Sequence, residues 1–237
     1  SPPHRTEIQS EFERFFSSES FRFSSSHFIA RHGHRERLHG HDYSLSVRLT
    51  GSNTIAPDGT FVDKKYVKQA IDKACQELDE MFLCPVNSNV MDITVSHDRC
   101  RQETVTMVCQ DGSTFSFPKT DCAMLPLVHT TTEEIALYLW DRILQLVTAD
   151  YLCRRGVLSM QVNILEGQEK DETTVRLGIP RKMNRHLNVM DFMRKNEGNG
   201  APIPFVIRES SPPGSLDDLI SEDMSQLSID ITDRAEV

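Results

Sequence analysis

No run of eighteen apolar residues occurs anywhere in the 237-residue chain, so no membrane-spanning helix and no membrane partner is expected. Ser1-Pro2-Pro3-His4-Arg5 is not followed by an apolar segment, so it does not read as a secretory signal. Cys-x-x-Cys pairs are absent. The six cysteines (Cys75, Cys84, Cys100, Cys109, Cys122 and Cys153) are scattered rather than arranged as a disulfide framework, which points to reduced thiols and a cytoplasmic setting. A basic face is missing too. Of the net charge of −9, residues 209–237 supply −7, eight acids against Arg234 alone, which leaves −2 for residues 1–208. A nearly neutral body gives a nucleic-acid reading nothing to stand on. No internal repeat at a fixed period is seen.

What is present is a folded-domain pattern. Phe21 to Ala30 and Tyr43 to Gly51 read as strands. The second alternates Tyr43, Leu45, Val47 and Leu49 with Ser44, Ser46, Arg48 and Thr50. From Asp63 to about Met81, Tyr66, Val67, Ala70, Ile71, Ala74 and Leu78 recur at helical spacing. Thr104 to Cys109 and Thr114 to Phe117 flank the turn pair Asp111-Gly112 and predict a hairpin within residues 92–119. Thr131-x-x-Glu134 fits a capping box for a second helix, with the stripe Ile135, Ala136, Leu139, Trp140, Ile143, Leu144 and Val147. Val157 to Leu165 and Thr173 to Ile179 read as two closing strands. Amphipathic helices need a sheet face to cover, so the fold class is α+β with both helices on one side. The expected organisation is an extension over 1–19, a domain over 20–180, and a linker with an acidic, disordered tail over 181–237.

The chemistry begins at His39-Gly40-His41, twelve residues after His27. Residues i and i+2 of a strand face one side, so His39 and His41 aim two imidazoles together. His27 on a neighbouring strand can supply a third. Three neutral nitrogens with an open fourth position form a catalytic zinc ligand set, although imidazole also suits iron or nickel.

Phe23-Ser-Ser-Ser-His27, Leu38-His39-Gly40-His41-Asp42-Tyr43, Leu78-Asp79, Thr130-Thr131-Thr132-Glu133 and Glu166 together resemble the 6-pyruvoyl-tetrahydropterin synthase family, which includes 6-carboxytetrahydropterin synthases. The match runs in order over roughly residues 20–180. Leu125-Pro126-Leu127-Val128 and the hairpin ahead of it look more like archaeal members. The resemblance implies a tunnelling fold, a four-stranded antiparallel sheet with two helices on one face plus the inserted hairpin. It further implies a barrel closed by three subunits, two trimers forming a homohexamer, and active sites at subunit interfaces. It assigns Zn2+ to His27, His39 and His41, and the pterin anchor to Glu166. A pterin presents parallel N–H groups on its 2-amino-pyrimidine edge that one carboxylate can accept. Thr131 or Thr132 could complete that edge. Glu133 has two readings, a pterin contact or a first-turn carboxylate favoured by the helix dipole.

The proton-transfer residues depart from the family pattern. No cysteine occurs in His34-Arg35-Glu36-Arg37-Leu38, and Leu78-Asp79-Glu80 carries glutamate where the family has histidine. A branch that makes 6-hydroxymethyl-dihydropterin has a glutamate three residues before the first motif histidine, and Glu36-Arg37-Leu38-His39-Gly40-His41 fits that ExxHGH pattern. The resemblance therefore implies a zinc-dependent lyase acting on 7,8-dihydroneopterin triphosphate, by triphosphate elimination or by side-chain cleavage. Glu36 is the candidate base, and Asp79 and Glu80 are further proton-transfer candidates. Glu36 also has a reading as a solvated charge in Arg35-Glu36-Arg37. The alternative function is a pterin- or purine-binding member without turnover. His129 reads as a turn residue or a substitute acid, and His32 and His34 as loop residues. In the tail, Leu216, Leu219, Ile220, Met224 and Leu227 recur near helical spacing, as in segments that fold onto a protein partner.

Overall fold

Three long strands organise the domain. A computed structural model describes residues 11–52, 55–97, 102–167, 172–180, 185–186 and 208–209. Strand β1 (Glu11–His27) pairs antiparallel with β4 (His39–Ser52), from Glu11 opposite Ser52 to His27 opposite His39. Between Ser17 and Arg22 the register shifts. Side chains alternate with period two, so this irregularity lets Phe16 and the odd-numbered Phe21, Phe23, Ser25 and His27 all turn to the buried side. The strand extends N-terminal to the Phe21 expected from the sequence, with Phe16 in the core and Phe12 packed against it.

Between β1 and β4 lies a miniature ladder, β2 (Ala30–Arg31) and β3 (His34–Arg35), turned at Gly33 with φ +76°. After β4 comes helix α1 (Lys64–Gln76), whose N-cap Asp63 accepts the amides of Lys65 and Tyr66. It buries Val67, Ala70, Ile71, Ala74 and Cys75. Strand β5 (Met81–Pro85) follows. Strands β6 (Met91–His97), β7 (Glu103–Cys109) and β8 (Thr114–Pro118) form a separate antiparallel sheet. Strand β9 (Cys122–Leu125), helix α2 (Thr132–Val147), a short α3 (Ala149–Arg154), β10 (Val157–Glu166) and β11 (Glu172–Gly178) complete the domain.

The main sheet has the order β11-β10-β4-β1-β5-β9. Its first four strands are the antiparallel sheet anticipated from sequence. Two corrections apply: β5 and β9 extend it in parallel, making a mixed six-stranded sheet, and the inserted hairpin is a three-stranded sheet. Short, almost wholly buried strands such as Phe82-Leu83-Cys84-Pro85 carry no alternation for a sequence reading to find. The α+β expectation holds, and α1 and α2 share one face. Phe21, Phe23, Leu45, Val47, Leu49, Val162 and Ile164 from the sheet join Ile71, Ala74, Ile135, Leu139, Trp140 and Ile143 from the helices in one core. A second core under the inserted sheet contains Phe28, Phe82, Cys84, Val105, Met107 and Cys109.

Past residue 180, the described residues form a two-residue antiparallel ladder, β12 (Arg185–His186) with β13 (Arg208–Glu209). The acidic tail and its apolar spacing lie outside the described residues. Among the described residues, no helix is long and apolar enough to cross a membrane.

Candidate metal and ligand site

The β1–β4 register brings the three histidines together. His27 pairs with His39, Ser25 with His41, and Phe23 with Tyr43, all on the helix-covered face. The ring centroids of His27 lie 4.8 Å from His39 and 5.3 Å from His41, and those of His39 and His41 are 4.7 Å apart. One nitrogen from each ring falls within 4.8 Å of the others. The spacing argument is thus realised at the end of two paired strands.

The rings are also oriented. His27 is only 3% exposed, and its Nδ1 lies 3.0 Å from the carbonyl oxygen of Thr130 and 3.0 Å from its hydroxyl. The Thr130 hydroxyl donates to the Phe28 carbonyl at 3.2 Å. A proton on Nδ1, donated to the Thr130 carbonyl, leaves Nε2 with its lone pair. Nε2 is buried and has no hydrogen-bond partner among the described residues. His39 is fixed likewise, with Nδ1 2.6 Å from the Arg37 carbonyl. Burial, and then the neighbouring His39 and His41, push the His27 imidazole below its ordinary value of 6.5 and favour the neutral ligand form. An orphaned buried nitrogen within a three-imidazole set, with tautomers held from behind, fits a cation such as zinc.

Glu166 closes the site. Gly167, in the left-handed region at φ +63°, ends β10 and donates its amide to the Asp42 carbonyl, leaving Glu166 opposite Tyr43 on β4. One Glu166 oxygen lies 3.0 Å from His41 Nε2, and the other accepts the Thr132 hydroxyl at 2.7 Å. The Tyr43 ring stacks on Phe23, 4.7 Å between centroids. Its phenol is buried, and it is pushed up by that burial and then by the Glu166 carboxylate beside it.

The other sequence candidates divide. Thr132 touches Glu166, whereas the Thr131 hydroxyl is the N-cap of α2, accepting the Glu134 amide at 3.4 Å. Glu133 is exposed in the first helical turn, where its carboxylate complements the helix dipole. Glu36 is exposed on the loop between His27 and His39. Its carboxylate accepts the Ile29 amide at 3.3 Å, and its own amide donates to the Ile29 carbonyl at 3.0 Å. Its neighbour Arg35 is not a solvated charge. The guanidinium lies over Phe28 and Phe115 and donates to Ser113, docking this loop on the inserted sheet.

Asp79 accepts the Ser24 amide at 2.8 Å, and the Glu80 amide donates to the Ser24 carbonyl at 2.7 Å. Both residues are exposed at the turn into β5, where Glu80 has φ +59°. His32 and His34 are exposed on the β2–β3 turn. The thiols of Cys75 and Cys84 are buried and pushed up to about 12, and that of Cys122 to about 11, all chiefly by burial. None of the three is poised as a nucleophile.

Two contributors escaped the sequence reading. Thr130 orients His27, and Glu134 positions Thr130. The capping-box pattern predicts that the Glu134 carboxylate reaches back to the N-cap amide. Instead it accepts the amides of Val128 and His129, at 2.8 and 3.0 Å, and pins the loop that delivers Thr130. Replacing Glu134 with alanine should therefore lower stability by about 1–3 kcal/mol, since it strips two amides of their buried acceptor. It should also weaken metal affinity roughly tenfold, the range for lost support behind a ligand. Chemical denaturation and a chelator competition would check the two effects separately.

Comparison with known proteins adds a family context. Residues 17–176 match the model of the family described as 6-pyruvoyl tetrahydropterin synthase. A curated Methanocaldococcus jannaschii protein, provisionally named 6-carboxy-5,6,7,8-tetrahydropterin synthase, is 31% identical over 150 residues, spanning 62% of this chain and 84% of its own length. Among solved structures, the 6-pyruvoyl tetrahydropterin synthase of Plasmodium vivax is 36% identical with a TM-score of 0.65, covering 72% of this chain and 99% of that one. The Plasmodium falciparum enzyme is 31% identical over the same shares, with the same TM-score. Two further P. vivax structures are catalytic-residue mutants in which a glutamate is replaced by alanine or by cysteine. The α+β tunnelling fold implied by the sequence motifs agrees with these structures.

Proposed function

The chain belongs to the 6-pyruvoyl tetrahydropterin synthase family, and from that premise we propose that it is a zinc-dependent lyase acting on 7,8-dihydroneopterin triphosphate. The supporting observation is the contact between His41 Nε2 and Glu166 at 3.0 Å, which joins a three-imidazole cluster to a carboxylate suited to a pterin edge. His27, His39 and His41 hold the ion, which when bound supplies Lewis-acid polarisation of the substrate's side-chain hydroxyls. Glu166 accepts the parallel N–H groups of the pterin, and Thr132 keeps the carboxylate aligned.

Glu36 is the base. It takes the proton of the C2′ hydroxyl as the C1′–C2′ bond breaks, the electron pair passes into the dihydropterin ring, and C1′ is then protonated. The products are 6-hydroxymethyl-dihydropterin and a phosphorylated two-carbon aldehyde, with no oxidant or reductant required. Side-chain cleavage is preferred here over triphosphate elimination because the segment before His39 carries Glu36 and no cysteine. A catalytic glutamate in the P. vivax relative supports giving the base role to a glutamate. Asp79 and Glu80 serve from a neighbouring subunit in a homohexamer. The edges at β11 and β9, unpaired among the described residues, give the sheet two places to join other copies. The domain so assigned runs over residues 20–180, with the segment beyond it as linker and tail.

The zinc-loaded protein should convert dihydroneopterin triphosphate to hydroxymethyl-dihydropterin, identified by mass. Glu36→Ala should lower kcat on the order of 10²- to 10⁴-fold, the usual worth of a positioned base, while pterin binding persists. Tight pterin binding without product in the unmodified protein would instead favour the binding-only reading.

A further inference from the structure

The loop that carries Glu36 continues the β1–β4 ladder past the histidines. His27 faces His39, and two residues beyond His27 the chain meets Glu36. The Glu36 amide donates to the Ile29 carbonyl at 3.0 Å, and the Ile29 amide donates to the Glu36 carboxylate at 3.3 Å. Ala30 then pairs with Arg35 and Arg31 with His34. A ladder this short is not stable in water by itself. Its support comes from the inserted sheet.

Arg35 makes the attachment. Its guanidinium lies 4.7 Å from the Phe115 ring centroid and 5.8 Å from that of Phe28. Nε donates to the Ser113 hydroxyl and stands 3.4 Å from the Asp111 carboxylate, while Nη1 donates to the Glu36 carbonyl at 2.8 Å. Asp111 and Ser113 belong to the β7–β8 turn. There the Ser113 amide and hydroxyl both donate to Asp111, which leaves the hydroxyl oxygen free to accept from Arg35. The same turn adds a second tie, Gln110 Oε1 accepting the Gly33 amide at 3.4 Å. The Arg35 side chain is only 22% exposed, with its face and its edge both engaged. Both backbone polar groups of Glu36 are therefore held, N–H by Ile29 and C=O by Arg35.

We propose that the inserted sheet is a clamp on the Glu36 loop and that Arg35 is its positioning residue, fixing the Glu36 backbone beside the histidine end of the β1–β4 ladder. This role rests on the assignment of Glu36 as the base. A base acts only within hydrogen-bond reach of its proton, and a loop fixed before substrate arrives spares the transition state the entropy of ordering it. Pterin binding, through Glu166 and Thr132, does not draw on the clamp.

Ser113→Ala and Arg35→Ala test the clamp from its two sides, with thermal unfolding to verify that each variant is folded. Ser113→Ala removes a single oxygen from a turn outside the metal and pterin site. Hydrogen exchange at the Glu36 amide should quicken about tenfold in Ser113→Ala, the local opening expected when one charge-assisted hydrogen bond is lost, and further in Arg35→Ala. At saturating zinc, Arg35→Ala should lower kcat by up to about a hundredfold, the effect of a misplacement of about 1 Å, with KM unchanged. In a Glu36→Ala background the same change should have no further effect on kcat, because no base is left to position. Unaltered exchange at Glu36 in either variant overturns the clamp. An equal fractional loss of kcat in both backgrounds overturns the positioning role, since the harm then does not pass through Glu36. If the unmodified protein forms no product, the lyase assignment fails instead, and the exchange measurement decides the clamp independently.

Discussion

Alanine at His27 should leave a folded chain that no longer retains zinc and turns over substrate at least about a hundredfold more slowly, beyond the range seen when only the support behind a ligand is lost. His27 is the most buried of the three imidazoles, and its Nε2 is the ligand atom left without a partner. Metal analysis of the purified variant, alongside activity at saturating zinc, checks both effects. The same residue carries a pH signature in the metal-free protein. Its folded-state value lies below 6.5, so the unfolded chain binds more protons in the window beneath 6.5. Stability from this group is fully present above 6.5 and is lost as pH falls through the lower folded value. Melting temperature of the metal-free protein should therefore drop on acidification through that window, and His27→Ala should show a smaller drop. An identical pH slope in both would assign the effect to other groups.

Trp140→Ala should be the most destabilising single change in the helical layer, costing about 3–5 kcal/mol as a large aromatic is removed from the core. The indole is 0% exposed, sits on α2, and donates Nε1–H to the Met160 carbonyl on β10 at 2.7 Å. Alanine loses the packing and leaves that carbonyl without its indole donor. Trp140→Phe keeps most of the volume and should cost less, about 1–3 kcal/mol for the lost hydrogen bond and its unsatisfied acceptor. Urea denaturation of both variants separates the two contributions. Because β10 ends at Glu166, hydrogen exchange at Glu166 and Gly167 should accelerate in Trp140→Ala, linking core packing to the site.

The helices were legible because their signals are local. The α2 stripe from Ile135 to Val147 is the buried face observed, and Thr131 caps the helix as its spacing implies. The α1 stripe was correct for Val67, Ala70, Ile71 and Ala74, whereas Tyr66 is exposed and the end was placed too late. The helix stops at Gln76, and the chain then turns through Glu80 in a left-handed conformation that no Gly announces. Tyr43 was legible in principle, since it follows His41 by two residues and shares its face by the same alternation that paired His39 with His41. Its relation to Glu166 was not, because the two residues are 123 positions apart and meet only through a strand register.

The shared face of His39 and His41 and the helical faces were legible in the sequence itself, through spacings of two to four residues that backbone geometry converts directly into a shared face, and the family through motifs that run in order along the chain. Tertiary structure decided the rest. The irregularity in β1 turns His27 toward its partners, the Glu134-pinned loop delivers Thr130 to His27, and the β4–β10 register sets Glu166 between His41 and Tyr43. Each of these is a contact between residues far apart in the chain. Their register is fixed by which side chains the whole core can bury, a global packing condition that no local pattern encodes.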